Sequence, residues 1–162
     1  MNEIVDRDRL LMLDDRELGE LCQFEFVKGT GAGGQHRNRT CTAVRVRHTA
    51  TGLTASDCTE RSQLRNRTEA LRKLRFRFAL EYRREPQPLP RAECAVTHAD
   101  YPLWCARLLD HLAAADFDLK SAAEKLAWRV SGLAKKLYRD PALWQYVNQC
   151  RAERGLPPCR RP

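Results

Sequence analysis

The stretch QFEFVKGTGAGGQHRNRTCTAVRVRH, residues 23–48, joins two alternating segments through a glycine-rich loop. The alternation of apolar and polar residues up to Val27, and again around Val44 and Val46, predicts two β-strands. Four glycines fall within six positions between them, at Gly29, Gly31, Gly33 and Gly34. Glycine tolerates positive φ angles and has no side chain, so a loop of this kind can bring its backbone very close to a partner.

The glycines match two nucleotide-binding patterns only in part. Residues 29–34 satisfy G-x-G-x-x-G, but that fingerprint requires a helix to begin in the glycines, whereas the chain continues as a polar segment and then a strand. In the phosphate-binding loop, Lys and Ser or Thr must follow the last glycine, and here Gln35 and His36 occupy those positions. Context therefore excludes both nucleotide sites, and the residues alone leave a purely structural loop as the alternative.

The remaining N-terminal half predicts a helix-flanked sheet. Residues 8–22 predict one or two short helices, and Asp14 and Glu17 have capping-box spacing. A hairpin is expected around Thr51 and Gly52. From Glu60 to about Arg84, apolar residues recur at helical spacing on a strongly basic helix.

Three prolines within residues 86–90 end this helix and mark the predicted domain boundary. We therefore expect a domain over 1–85, a Pro-rich linker over 86–92 and an α-helical module over 93–162. Helices are expected over 100–115, from Asp118 or Ser121, and after an Asp140 cap, with Gly155 ending the last. The predicted fold class is α+β: a β-sheet with a packed basic helix, followed by a helical C-terminal module.

Residues 119–137, LKSAAEKLAWRVSGLAKKL, have the apolar spacing of a helix-turn-helix. Ala127 occupies the position in the turn where glycine is usual. Three interpretations of this module stay open at the level of sequence: a DNA-binding element, an RNA- or ribosome-docking element, and an ordinary helical bundle.

The charge distribution indicates a polyanionic partner. Lys and Arg outnumber Asp and Glu by 29 to 21, for a net charge of +8. Residues 1–27 hold three basic and eight acidic side chains, whereas residues 28–77 hold twelve basic and three acidic ones. A basic block of this kind directly after the glycines is typical of contacts with nucleic-acid phosphates.

The seven cysteines favour neither a disulfide framework nor a zinc site, because they are odd in number and lack C-x-x-C spacing. Cys94 and His98 form the one metal-like pair, and no metal is expected. The sequence has no long apolar run and no signal-peptide pattern, so we expect a cytoplasmic protein with no membrane partner.

The blocks GTGAGGQHRNRT, AVRVRH and ERSQLRNRTEALRKLR occur in an order that resembles the catalytic domain of class I peptide chain release factors, whose signature is Gly-Gly-Gln. The likeness runs from about Phe24 to Arg84. It departs from the usual pattern at Thr30, where Ser is common, at Arg37, where Val is common, and at Leu64, where His is common.

The resemblance implies a catalytic site at Gly33, Gly34 and Gln35, completed by ribosomal RNA. The backbone N–H of Gln35 is expected to donate to the oxyanion, and its side chain to position water and exclude larger nucleophiles. The RNA-binding residues it implies are His36, Arg37, Asn38, Arg39, Arg61, Arg65 and Arg67. No cofactor is expected; the expected partners are ribosomal RNA and peptidyl-tRNA.

Full-length release factors carry a codon-reading domain before the catalytic domain, whereas about 23 residues precede the likeness here. We therefore expect a stand-alone ribosome-rescue enzyme, a peptidyl-tRNA hydrolase that needs no stop codon. Such factors commonly end in a basic tail, but residues 93–162 are rich in aromatic and aliphatic residues and predict a folded module. The alternatives are a non-catalytic factor that recruits another release factor, and a helix-turn-helix regulator that binds nucleic acid.

Overall fold

The computed structural model describes residues 6–27 and 43–162. The chain divides into two compact units, Met1–Phe78 and Ala79–Pro162. The first unit combines helices with an antiparallel sheet and the second is helical in its described residues, which confirms the predicted α+β class. The finer predicted bounds of 1–85, 86–92 and 93–162 stay a prediction.

Two short helices open the N-terminal unit, α1 (Arg7–Met12) and α2 (Asp15–Glu20). The predicted capping box is present: the Glu17 amide donates to the Asp14 carboxylate at 2.8 Å, and the Asp14 amide donates to the Glu17 carboxylate at 2.9 Å. These bonds satisfy backbone donors that the start of a helix leaves unpaired. Their reciprocal geometry explains why the helical region divides at Leu13 and Asp14.

Three strands form an antiparallel sheet in the order β1 (Cys22–Val27), β2 (Ala43–His48) and β3 (Thr54–Asp57). Val44 and Val46 are fully buried, while Arg45 and Arg47 between them are exposed. This period of two gives the sheet one apolar face. The predicted hairpin is confirmed, and Gly52 in its turn has φ +72°.

His48 ends β2 in a buried position. Its Nδ1 accepts from the backbone amide of Thr51 at 3.3 Å, and its ring meets Phe78 edge-on with 5.1 Å between centroids. Burial lowers the pKa of His48 below its ordinary value of 6.5. The folded state therefore favours the neutral ring.

This lowered pKa predicts a loss of stability in mild acid. The unfolded chain binds the proton more readily, so the contribution of His48 is complete above about pH 6.5 and decreases as the pH falls toward the folded pKa. Urea unfolding of the wild type between pH 7.5 and 5.5 should show a steeper decline than that of His48→Phe. The exposed His98 provides the control, and a His98→Gln variant that flattened the pH profile equally would contradict the assignment.

The basic helix is α3 (Gln63–Glu81). It begins later than predicted because Ser62 caps it: the Arg65 amide donates to the Ser62 hydroxyl at 3.4 Å. Its apolar stripe contains Ala70, Leu74 and Phe78, all with zero exposure. Within the N-terminal unit, this stripe and the valines of β2 make the core.

Four helices form the C-terminal unit: α4 (Tyr101–Ala113), α5 (Leu119–Lys125), α6 (Val130–Tyr138) and α7 (Pro141–Glu153). The predicted caps are confirmed. Asp118 accepts from the Ser121 amide at 2.9 Å, Asp140 accepts from the Ala142 amide at 2.9 Å, and Gly155 follows α7 with φ +68°. Leu108, Leu133, Leu137 and Leu143, all fully buried, belong to the core of this unit.

The Pro-rich segment, residues 85–93, is bound by α4 through its backbone carbonyls. The donors are Arg107 to Pro88 at 2.7 Å, His111 to Gln87 at 3.0 Å, and the Trp104 indole to Arg91 at 3.1 Å. Because the prolines prevent regular backbone pairing, the carbonyls of this segment need side-chain donors of this kind. The segment is thus fixed against α4 within the C-terminal unit.

A tight turn separates α5 from α6 at the position where the spacing of residues 119–137 predicts one. The Trp128 amide donates to the Ala123 carbonyl at 2.8 Å, and the Ala127 amide donates to the Glu124 carbonyl at 3.1 Å. This pair of bonds is the Schellman ending of a helix, which places its pivotal residue in the left-handed region. Here that residue is Ala127, with φ +54°.

A glycine at position 127 should therefore stabilise the protein. Ala127→Gly removes the steric cost of a Cβ in the left-handed region, and we expect a gain of about 0.5–1 kcal/mol in the free energy of unfolding. The same change at Ala152, an exposed position in α7, should lose about 0.5–1 kcal/mol because the residue there is helical. Urea unfolding of both variants tests this difference in sign. Destabilisation by both would contradict it.

Candidate functional site

The glycine-rich loop connects two paired strand ends. Val27, the last residue of β1, lies opposite Ala43, the first residue of β2, so the 28–42 segment leaves and re-enters the sheet at one point. The predicted catalytic residues Gly33, Gly34 and Gln35 lie outside the described residues. So do the predicted RNA-binding residues His36, Arg37, Asn38 and Arg39.

The connection between β3 and α3 is held by one buried amide. Asn66 has zero exposure; its Oδ1 accepts from the Glu60 amide at 2.8 Å and its Nδ2 donates to the Glu60 carbonyl at 2.9 Å. Both backbone groups of Glu60 are thereby paired by a single side chain from the first turns of α3. This clamp fixes the segment that presents Arg61.

A second set of contacts fixes the start of the same connection. The buried Asp57 accepts from the Thr59 hydroxyl at 2.8 Å and lies 3.5 Å from the ammonium of Lys73. Lys73 also donates to the Ser56 carbonyl at 3.3 Å. The connection between β3 and α3 is therefore held at its start by the contacts of Asp57 and Lys73 and at its end by those of Asn66.

Arg61 and Arg65 are exposed at the N-terminal end of α3. Arg65 lies 3.7 Å from the Glu60 carboxylate, in a pair whose members are 75% and 47% exposed. Such an exposed pair is weak and is easily exchanged for another anion. Arg61 makes no ion pair with any residue in 6–27 or 43–162, so both cations are available for phosphate.

Arg67 has a different environment. Its guanidinium lies 4.3 Å from the centre of the Phe24 ring, a cation–π contact with β1. The same guanidinium lies 3.4 Å from the Cβ position at Gly19, so a side chain there would contact it. Arg67 thus connects α3 with β1 while staying exposed.

The other cations of α3 are engaged within the unit. Arg75 bonds the Asp15 carboxylate at 2.5 Å and the Leu13 carbonyl at 2.9 Å, and Arg72 bonds Glu69 at 2.8 Å. The basic helix that looked uniform in sequence therefore has two functions. The cations at its N-terminal end are exposed, and those in its middle contact α1, α2 and β3.

Asn66 is the residue that the sequence interpretation missed. It lies four residues before Ala70, at the spacing that continues through Leu74 to Phe78. A short amide in line with a buried stripe indicates a side chain that faces the interior and must find backbone partners there. That signal was available in the sequence.

Burial makes several of the described thiols poor nucleophiles, and the described residues hold no metal cluster. Burial raises the pKa of Cys22 to about 11, and it also raises the pKa of Cys94 and of Cys159. A thiol with a raised pKa is protonated at neutral pH and unreactive. Within 6–27 and 43–162 no group of three or more His, Cys, Asp and Glu side chains could hold a metal ion.

An antiparallel sheet, a basic helix with free cations at one end, and a Gly-Gly-Gln connection between paired strands together define a small α+β domain of the release-factor type. A family model described as RF-1 domain matches residues 18–100. The match spans half of the chain, and the chain belongs to this family. It therefore contains a peptide chain release factor domain, the kind found in factors of translation termination.

The curated relatives are full-length release factors. The chain is 46% identical over 57 residues to peptide chain release factor 1 of Leptospira biflexa, covering 35% of this chain and 16% of the relative. It is 43% identical over 75 residues to peptide chain release factor 1 of Symbiobacterium thermophilum, covering 44% and 21%. It is 38% identical over 74 residues to peptide chain release factor 2 of Lactiplantibacillus plantarum, covering 46% of this chain and 19% of the relative.

The chain thus spans about a fifth or less of the length of these relatives. No solved structure matches it. None of the helices in the described part of the chain is long and apolar enough to cross a membrane.

Proposed function

We propose that this protein hydrolyses the ester of peptidyl-tRNA on stalled ribosomes, in the cytoplasm and without reading a stop codon. The observation that carries the proposal is the pairing of Val27 with Ala43, which joins the Gly-Gly-Gln segment to a release-factor-type sheet. Hydrolysis needs water directed at the ester carbonyl and donors for the oxyanion. Gly33 and Gly34 shape the loop, and Gln35 supplies the donor and organises the water.

The first turns of α3 serve the same function as a docking surface. Arg61 and Arg65 neutralise ribosomal RNA phosphates, while the Asn66 clamp holds Arg61 at a fixed position relative to the sheet. The active site is completed by RNA, so the free protein is expected to leave peptidyl-tRNA in solution almost intact. Its full rate requires the ribosome.

Codon independence is the part of the proposal that distinguishes rescue from ordinary termination. The support for it is the release-factor resemblance, in which codon reading belongs to a domain separate from the matched region. The test is single-turnover peptide release from ribosomes that carry peptidyl-tRNA with a stop codon, a sense codon or no codon in the decoding site. Equal release in the three states is the expected result.

Two other results would reject the proposal in different ways. Release only on a stop codon would assign the chain to ordinary termination. No release in any state, together with ribosome binding, would favour a factor that recruits another hydrolase. Free peptidyl-tRNA provides the control, since hydrolysis at the ribosomal rate without ribosomes would contradict an RNA-completed site.

A further inference from the structure

The outer surface of α6 has features that peptide release does not use. Four exposed side chains, at i, i+4, i+7 and i+8, lie opposite the buried Leu133 and Leu137. They are Ser131, Lys135, Tyr138 and Arg139, and we call them the α6 face. The fully buried leucines fix α6 in the unit, so these exposed side chains contribute little to its core.

Positive charge is concentrated around this face. Residues 119–139 contain six Lys and Arg and a single acidic residue, Glu124. Neither Lys135 nor Arg129, which precedes α6, has an ion-pair partner anywhere in the described chain. Cations held without partners at an exposed surface are an electrostatic footprint for phosphates.

An acidic side chain from the Pro-rich segment partly neutralises the neighbouring cations. Glu93 bonds the Lys136 ammonium and lies 3.8 Å from the Arg139 guanidinium. The Arg139 and Glu93 side chains are 52% and 63% exposed, so their contact is open to solvent and to exchange, whereas the Lys136 side chain is only 12% exposed. A phosphate could replace this carboxylate on Arg139 at little cost.

Aromatic rings lie beside the cations. Tyr138 is 45% exposed and meets Trp144 of α7 edge-on, with 5.2 Å between ring centroids. On the other side of α6, the Lys136 ammonium lies 5.0 Å from the Trp128 ring centre. Aromatic rings interleaved with Lys and Arg provide stacking surfaces for unpaired bases as well as contacts for phosphates.

We infer that the α6 face is a second RNA-binding surface, which takes structured RNA at a junction between a helix and unpaired bases. Lys135, Arg139 and Arg129 contact the phosphates, and the exposed ring of Tyr138 stacks on a base. The inference concerns binding alone, so it can be tested whether or not the protein hydrolyses peptidyl-tRNA.

The side chains favour RNA over duplex DNA, despite the helix-turn-helix spacing of residues 119–137. A recognition helix in a DNA major groove bonds guanine through Arg or Lys and adenine through Asn or Gln. The α6 sequence VSGLAKKLY contains no Asn or Gln, and its exposed aromatic ring has no base to stack on in an intact duplex. Unpaired bases next to phosphates in fixed positions are typical of RNA loops and bulges.

The test measures binding of the full chain to an RNA stem–loop over a range of salt concentrations, beside an RNA duplex and a DNA duplex of the same stem. The Arg129→Glu/Lys135→Glu double variant should weaken stem–loop binding about tenfold and lower the salt slope by roughly 1.5. Arg160→Glu/Arg161→Glu has the same charge change in the exposed C-terminal residues and is the matched control. Its affinity should stay within about twofold of the wild type.

Two further variants separate the components of the surface. Tyr138→Leu keeps an apolar side chain but removes the ring, and should weaken stem–loop binding at least about fivefold while leaving duplex binding unchanged. Glu93→Gln releases Lys136 and Arg139, and should tighten binding severalfold, whereas Glu153→Gln at the end of α7 should not. Thermal unfolding of each variant separates weaker binding from loss of structure.

The inference fails if Arg129→Glu/Lys135→Glu and Arg160→Glu/Arg161→Glu weaken stem–loop binding equally, because the effect would then be one of net charge. It also fails if the DNA duplex binds more tightly than the stem–loop and depends on Lys135, which would make the α6 face a DNA-binding surface. Unchanged binding by Tyr138→Leu would overturn the stacking contact.

Discussion

Replacing Gln35 with proline should lower ribosome-dependent peptide release by about 10²- to 10³-fold, the usual cost of removing one oxyanion donor. Proline has no backbone N–H, so the variant removes the group to which the proposed mechanism assigns the oxyanion. Gln35→Ala keeps this N–H and loses only the side chain. It should therefore keep much more of the rate of release than the proline variant.

The alanine variant should instead lose its selectivity for water. The side chain of Gln35 is proposed to exclude larger nucleophiles, so Gln35→Ala should release the peptide to hydroxylamine more readily than the wild type does. Ribosome binding by both variants should equal that of the wild type, since Arg61 and Arg65 are unchanged. Equal rates for the proline and alanine variants would contradict the role of the backbone donor.

The helix caps and the tight turns could be predicted from the sequence because each depends on residues that are close together in the chain. The Asp14 capping box, the Gly52 turn and the Asp140 cap each depend on residues within a few positions of one another. The spacing of residues 119–137 also predicted a turn at Ala127, although not the left-handed φ of +54° that this alanine adopts. Local chemistry determined each of these features.

The roles of the cations could not be predicted in the same way, because they depend on distant partners. Arg75 pairs with Asp15 and Lys73 with Asp57, across 60 and 16 residues of chain, so α3 looked uniformly basic in sequence. The structure shows that these cations are structural, while Arg61 and Arg65 are exposed and Arg65 makes only a weak pair with Glu60. Sequence indicated a polyanion-binding helix, and the tertiary pairs leave its N-terminal end as the proposed docking surface.

The bonds between Asn66 and Glu60 predict a variant that loses both stability and ribosome binding. Asn66→Ala leaves the Glu60 amide and carbonyl without their partners, and we expect the free energy of unfolding to fall by about 2–4 kcal/mol. Because the clamp also fixes Arg61, ribosome affinity should fall at temperatures where the variant is still folded. Arg61→Ala should lose affinity with no loss of stability, since its side chain is exposed.

Asn148 of α7 provides the matched control. Its side chain also makes two backbone hydrogen bonds, donating to the Trp144 carbonyl at 3.0 Å and accepting from the Cys159 amide at 2.7 Å. Asn148→Ala should destabilise the protein by about 1–2 kcal/mol, since half-buried groups regain water, and should leave Arg61-dependent affinity unchanged. Urea unfolding and ribosome co-sedimentation measure both effects. If Asn66→Ala lowered stability but bound ribosomes as tightly as the wild type, the start of α3 would not be the docking surface.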